Sequence, residues 1–209
     1  MNLRKISPKI IMISFIDIKN VEPYKLFRKK YNDAIKNKQK NIEAVAVSSY
    51  NKSLNEVSSR YVNLKYIIKD KWIFFTNYNS PKSSDFKSHN QISALFYWKS
   101  TETQIRLKGL IKQTSKEFNK DYFKKRAKHK NALAISSNQS KLIESYKDVE
   151  NNYRNCLTSA DLKKCPEFWG GYSFTPYYFE FWEGNKSRIN KREVFEMADG
   201  IWKHSFLQP

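Results

Sequence analysis

The sequence predicts a mainly β fold with peripheral α-helices, and three observations carry that expectation. Thr103 to Lys112 alternates: Gln104, Arg106 and Lys108 face one way, and Ile105, Leu107, Gly109 and Ile111 the other, as in a half-buried strand. Residues 44–77 fall into apolar runs separated by short polar turns, the pattern of an antiparallel meander. Helical spacing is confined to segments lying ahead of the strands or between them. The chain has 209 residues and a mass of 24.9 kDa, the size of one domain. With 40% apolar and 15% aromatic residues it can bury a core.

The elements follow in order. Residues 1–20 have no clear period and read as an N-terminal arm with freedom to move, ahead of a single domain over 21–209. Val21 to about Asn37 reads as a helix, with Pro23 in its first turn and Leu26, Tyr31, Ala34 and Ile35 as its apolar stripe. Strands are expected over Ala44–Tyr50, Arg60–Ile68 and Trp72–Asn77, with turns at Asn51–Asn55 and Lys69–Lys71. Ser80 to His89 is a polar loop or short helix. Gln91 to Trp98 is again a strand, with Ile92, Ala94, Phe96 and Trp98 on one face. Helices are expected over Lys116–Arg126 and Ser140–Asn155, then strands over Tyr172–Trp182 and Ile201–Leu207. Strands with helices inserted between them suggest a barrel-like sheet.

Composition removes several function classes. The five glycines (Gly109, Gly170, Gly171, Gly184, Gly200) cannot form a G-x-G-x-x-G or P-loop cradle, so a bound phosphate must be held by side chains. Cys156, Cys165 and the three histidines show no zinc spacing. No apolar run approaches the ~20 residues that span a bilayer. Ile10–Ile16 ends at Asp17 without a cleavage site, so a secretory signal is not expected. Free thiols without an export signal place the chain in a reducing, cytoplasmic compartment. The net charge of +19 raises nucleic-acid binding, but lysine is scattered through every segment as on a solvated surface. Arginine is scarce, so each one is a candidate for a site that needs a planar, bidentate fork.

Several segments together resemble the pyridoxamine 5′-phosphate oxidases. They are Arg60-Tyr61-Val62-Asn63-Leu64-Lys65, Phe74-Phe75-Thr76-Asn77, Phe168-Trp169-Gly170-Gly171-Tyr172 and Glu180-Phe181-Trp182, the last followed by Arg188-Ile189-Asn190-Lys191-Arg192. They occur in the family's order from about residue 22 onward. The resemblance implies an FMN-binding split β-barrel and a homodimer with FMN at its interface. It implies oxidation of pyridoxamine or pyridoxine 5′-phosphate by O2 to pyridoxal 5′-phosphate, with release of H2O2. Cofactor contacts fall on Arg60, Tyr61, Val62, Lys65, Phe75, Thr76, Lys82, Gln104, Gln139, Ser140, Trp182 and Arg192. Substrate contacts fall on Lys65, Tyr122, Arg126, Lys130, Arg188 and Asn190, with Arg188 and Asn190 at the reacting ring.

The residues can also be read without the family. Arg60 and Lys65 are five apart, so an ideal strand points them to opposite faces; one shared site needs a bulge. Tyr122 and Arg126 share a helix face and could be a surface pair. Gln104 could simply be solvated, Trp182 could be core, and Ser140 could be a helix N-cap. Three positions depart from the family pattern. Pro81 precedes Lys82 where arginine is usual, Lys130 replaces a serine, and Asn190 replaces a histidine. Asparagine cannot titrate near neutral pH. The departures leave open a flavin-binding relative with little oxidase activity. A nucleic-acid binder, the third class, would be colourless.

Overall fold

The computed structural model describes residues 12–209. Nine strands form one sheet: β1 (Ser14–Ile16), β2 (Ala44–Asn51), β3 (Glu56–Ile68), β4 (Lys71–Asn77), β5 (Gln91–Trp98), β6 (Thr103–Gln113), β7 (Trp169–Glu183), β8 (Lys191–Ala198) and β9 (Ile201–Leu207). The sheet closes on itself in the order β3–β2–β5–β6–β7–β4 and back to β3, with every neighbouring pair antiparallel. Two long strands make closure possible. The first part of β3 pairs with β2 and its last residues with β4, while β7 pairs with β4, β6 and β8 along successive stretches. Closure removes the exposed edges that a six-stranded sheet would otherwise present. β1 lies parallel along β3, and β8 and β9 extend outward from β7.

Among the described residues five α-helices surround this ring: α1 (Glu22–Lys36), α2 (Pro81–Ser88), α3 (Lys116–Lys125), α4 (Lys128–Ser136) and α5 (Tyr146–Ser159). None of them is long and apolar enough to cross a membrane. α1 begins with Pro23 in its first turn and ends with Lys36 in its last, both favourable at those termini. Its buried stripe is Tyr24, Phe27, Tyr31 and Ala34, displaced from the expected one because Leu26 and Ile35 only flank the core. Phe27 meets Trp72 at 4.4 Å and Phe96 at 5.5 Å between ring centroids, so α1 plugs the barrel interior. The alternation read in β5 and β6 is met. Ile92, Ala94, Phe96 and Trp98 are all buried, as are Ile105, Leu107 and Ile111. Gly109 sits at a register shift in β6, where a Cβ would meet Thr175 O at 2.9 Å.

Several expectations are corrected. Of the arm expected over 1–20, residues 1–11 lie outside the described residues, and 14–16 form β1. Ile13 beside it is buried, and its N–H donates to Tyr31 Oη at 2.8 Å. The helix expected over 140–155 is α5, which starts later. Ser145 Oγ caps it by accepting from Asp148 N at 3.2 Å and donates to Asp148 Oδ2 at 2.7 Å. Ser140 does not cap: it lies in a turn with φ of +67°. The helix α4 ahead of it carries no strong sequence signal. The strand β8 is likewise not expected from the sequence, because charged residues dominate it and its buried Val194 and Phe195 are adjacent rather than alternating. Its signal is the Asp199-Gly200 pair, with φ of +52° and +79°, which joins β8 to β9 as a two-residue hairpin loop.

Candidate functional site

A cleft of about 1150 Å3 opens between the outer side of β3, the ends of β4 and β7, and helices α2, α3 and α4. One irregularity builds it. The register between β3 and β4 shifts between Leu64 and Tyr66, which makes Lys65 the extra residue of a bulge. Arg60, which pairs with the buried Val47, and the bulged Lys65 both line the cleft.

At one end stand Arg60 and Lys82. Arg60 Nη1 donates to Ser49 Oγ at 2.6 Å and to Val47 O at 3.5 Å. Lys82, only 6% exposed, donates to Thr76 Oγ1 at 3.1 Å and Ser80 Oγ at 3.0 Å. An ammonium has three donors, so one remains free for a ligand. Burial, with Arg60 adding repulsion and Asp85 opposing both, brings the Lys82 pKa down to about 8. Burial also lowers the Arg60 pKa, against the charge of Asp85. Pro81 occupies the first turn of α2, where its missing N–H leaves no helical hydrogen bond unmade.

At the other end stand Lys65, Arg126 and Lys130. Burial lowers the Lys65 pKa; Glu43 opposes this, and Lys130 and Arg126 reinforce it. Arg126, just past α3, is oriented by Asn131 Oδ1 at 3.1 Å and lies over the Trp169 ring at 4.6 Å. Asn131 is itself fixed by the Phe123 and Leu162 carbonyls, each at 2.8 Å. Phe75, Tyr122 and Trp169 form a parallel aromatic wall between the two ends, with Phe75 3.8 Å from Tyr122 and 5.2 Å from Trp169. Burial pushes the Tyr122 phenol up to about 12, so it stays a donor at neutral pH. Among the described residues, none of Arg60, Lys65, Lys82, Arg126 and Lys130 forms an ion pair with a carboxylate. Cations that line a cleft without a direct carboxylate partner are poised for an anion.

Tyr61, Val62, Thr76, Gln139 and Ser140 also line this cleft. Gln104, Trp182, Arg188, Asn190 and Arg192 do not. Gln104, Trp182 and Arg192 stand side by side on β6, β7 and β8. Arg192 is engaged by Glu180 Oε1 at 2.9 Å and by Gln208 O at 3.0 Å. Arg106 meets the other oxygen of that buried carboxylate at 3.1 Å, and Tyr178 Oη donates to it at 3.0 Å. Asn190 Oδ1 accepts from Asn185 N at 3.1 Å, which folds the loop holding Arg188 at φ of +64°. Sequence reasoning did not select Trp169 as a site residue, although it lies in one of the quoted segments. It also missed the buried Asp85, for which no sequence signal exists.

A closed antiparallel ring with long β3 and β7 defines the split-barrel class. PhzG from Burkholderia lata, solved with tetrahydrophenazine-1-carboxylic acid, matches with a TM-score of 0.84 at 24% identity, covering 90% of this chain and 93% of that one. A pyridoxamine 5′-phosphate oxidase-related, FMN-binding protein from Nostoc punctiforme matches with a TM-score of 0.75 at 12% identity, covering 91% and 100%. Residues 169–209 match the family profile described as the pyridoxine 5′-phosphate oxidase C-terminal dimerisation region. The pyridoxine/pyridoxamine 5′-phosphate oxidase of Leptospira biflexa is 33% identical over 190 residues, covering 90% of this chain and 89% of that one. That of Colwellia psychrerythraea is 34% identical over 193 residues, covering 91% and 88%. The chain therefore belongs to the pyridoxine/pyridoxamine 5′-phosphate oxidase family, as the quoted segments predict.

Proposed function

We propose that the protein is a cytoplasmic, FMN-dependent oxidase that converts pyridoxamine or pyridoxine 5′-phosphate to pyridoxal 5′-phosphate, working as a homodimer. One observation carries the reading: two sets of cations without carboxylate partners flank an aromatic wall in a single cleft. A ligand pair with two phosphates and two flat rings matches that arrangement. The donor set fits FMN without a glycine cradle. Arg60, Lys82 and Thr76 supply charge and hydrogen bonds for its phosphate, and Gln139 and Ser140 line the same cleft. Lys65, Tyr122, Arg126 and Lys130 form the set for the substrate phosphate.

FMN, when bound, supplies the two-electron redox chemistry. The chain's own residues supply position and charge. Arg126, pinned by Asn131 and stacked on Trp169, holds a fixed fork for a phosphate. The Tyr122 hydroxyl donates and does not ionise at working pH. The balance is amine plus O2 and water giving aldehyde, ammonia and H2O2, or alcohol plus O2 giving aldehyde and H2O2.

The dimer is the second half of the reading. Gln104, Trp182, Arg188, Asn190 and Arg192 lie outside the cleft of their own chain, and a second copy would bring them to it. Two findings support this: the match of 169–209 to a dimerisation region, and the outer face of the barrel. On that face Ala44, Ala46, Ser48 and Leu95 lie between Tyr61 and Tyr97, which are 74% and 56% exposed.

The test is direct. Purified protein supplied with FMN should be yellow and dimeric, and should form H2O2 in step with loss of pyridoxamine 5′-phosphate. Turnover no faster than free FMN would favour the flavin-binding relative. The engagement of Asn190 in its own loop, where the family usually has histidine, is the feature that favours that second reading.

A further inference from the structure

The cation pair Arg60 and Lys82 is backed by a buried carboxylate that the reading above does not use. Asp85, on α2, is 3% exposed. Its Oδ2 accepts from Ser49 Oγ at 2.6 Å, and its Oδ1 accepts from Asn51 Nδ2 at 2.9 Å. Ser49 Oγ accepts in turn from Arg60 Nη1 at 2.6 Å. A hydroxyl has one proton, and here Asp85 takes it, so only lone pairs face the guanidinium. The relay Arg60 to Ser49 to Asp85 therefore has a fixed direction.

We propose that Asp85 is a positioning residue for the anion-binding end of the cleft: it fixes the Arg60 guanidinium through Ser49, and its charge offsets the repulsion between Arg60 and Lys82. The inference rests on the reading that this end holds the FMN phosphate. A carboxylate buried solely to bond Ser49 and Asn51 is an expensive choice, because a neutral acceptor would serve them at lower desolvation cost. Its charge has a use only toward the two cations. The charged groups facing Lys82 are Arg60 on β3 and Asp85 on α2. β2, packed against α2, contributes only the uncharged Ser49 and Asn51, and β4 only Thr76. With Asp85 present, the proton of Lys82 is lost near pH 8, above the neutral range.

The experiment compares the native protein with Asp85→Asn and Ser49→Ala in two measurements. One is the FMN dissociation constant between pH 6 and 9.5, from quenching of flavin fluorescence. The other is the titration of Lys82 in the FMN-free protein, from trace acetic anhydride labelling read by mass spectrometry. Asp85→Asn should move both the Lys82 midpoint and the pH at which FMN affinity falls downward by roughly one unit. Ser49→Ala should weaken FMN binding about tenfold at pH 6.5 with the Lys82 midpoint unmoved. A role confined to packing would change stability and leave both midpoints in place, and that result overturns the proposal. If Asp85→Asn does not fold, Ser49→Ala decides: unchanged FMN affinity in that variant overturns it. Native protein that binds no FMN at any pH sinks the functional reading, while the labelling arm still judges Asp85.

Discussion

The cleft and the β6–β7–β8 face both gather arginines and treat them in opposite ways. Arg106 and Arg192 converge on Glu180, whose side chain is 3% exposed, and Tyr178 completes its shell. Arg60, Lys65, Lys82, Arg126 and Lys130 converge on open space instead. Where a carboxylate closes the charge, the cations hold strands together. Where none pairs directly, burial and the neighbouring cation outweigh the more distant Asp85, and the Lys82 pKa falls to about 8. The contrast separates cations held by a carboxylate of their own chain from cations open to a ligand, and each side can be attacked experimentally.

The largest effect belongs to the closed cluster. Glu180→Ala leaves two guanidiniums and a phenol without their common partner. It should lower stability by about 2–3 kcal/mol, discounted from a fully buried pair because Arg106 is half exposed. Urea unfolding measures this, and a loss under about 0.5 kcal/mol would class the cluster with ordinary surface pairs. In the cleft the signs reverse. Lys82→Met removes a buried charge that no carboxylate pairs directly, so the FMN-free protein should become more stable by about 1 kcal/mol while FMN affinity falls about 30-fold. Calorimetry with and without FMN reads both, and parallel losses would erase the distinction drawn here.

The pH response follows with its sign. Lys82 titrates near 8 in the folded chain against an ordinary 10.5. Between those values the unfolded chain keeps a proton that the folded chain has lost, so the stability of the FMN-free protein rises with pH through that window. Lys65, lowered by burial, adds in the same direction. Affinity for a phosphate moves the other way and falls as pH climbs through 8. Urea midpoints at pH 7.5 and 9.5 check the first trend, and Lys82→Met should flatten it. The smallest effect is Pro81→Arg, which restores a charge at the mouth of α2. FMN binding should tighten about threefold in a fluorescence titration, within the range of an exposed charged contact. No gain would mean the proline costs the site nothing.

The sequence made the barrel strands legible where one face is buried and the other wet. β5 and β6 came through almost residue for residue because their alternation is unbroken. β8 was hidden because charged residues dominate it and its buried Val194 and Phe195 are adjacent, although the Asp199-Gly200 turn marked its end. The start of α5 was misplaced because serines at 140 and 145 look alike in sequence, and only Ser145 has Asp148 three residues on to complete the cap. The bulge at Lys65 could be argued for, since one site shared by Arg60 and Lys65 needs it, but its existence is a matter of pairing register. Asp85 was invisible: an aspartate in a polar stretch looks solvated until α2 presses it against Ser49 and Asn51.

β7 belongs at once to the closed ring and to the stretch matched as a dimerisation region, which begins at Trp169, its first residue. The C-terminal segment is therefore no detachable appendage. Cutting the chain ahead of Trp169 would take a stave out of the barrel along with the hairpin beyond it, so the closed ring and the start of the matched region share the same fifteen residues.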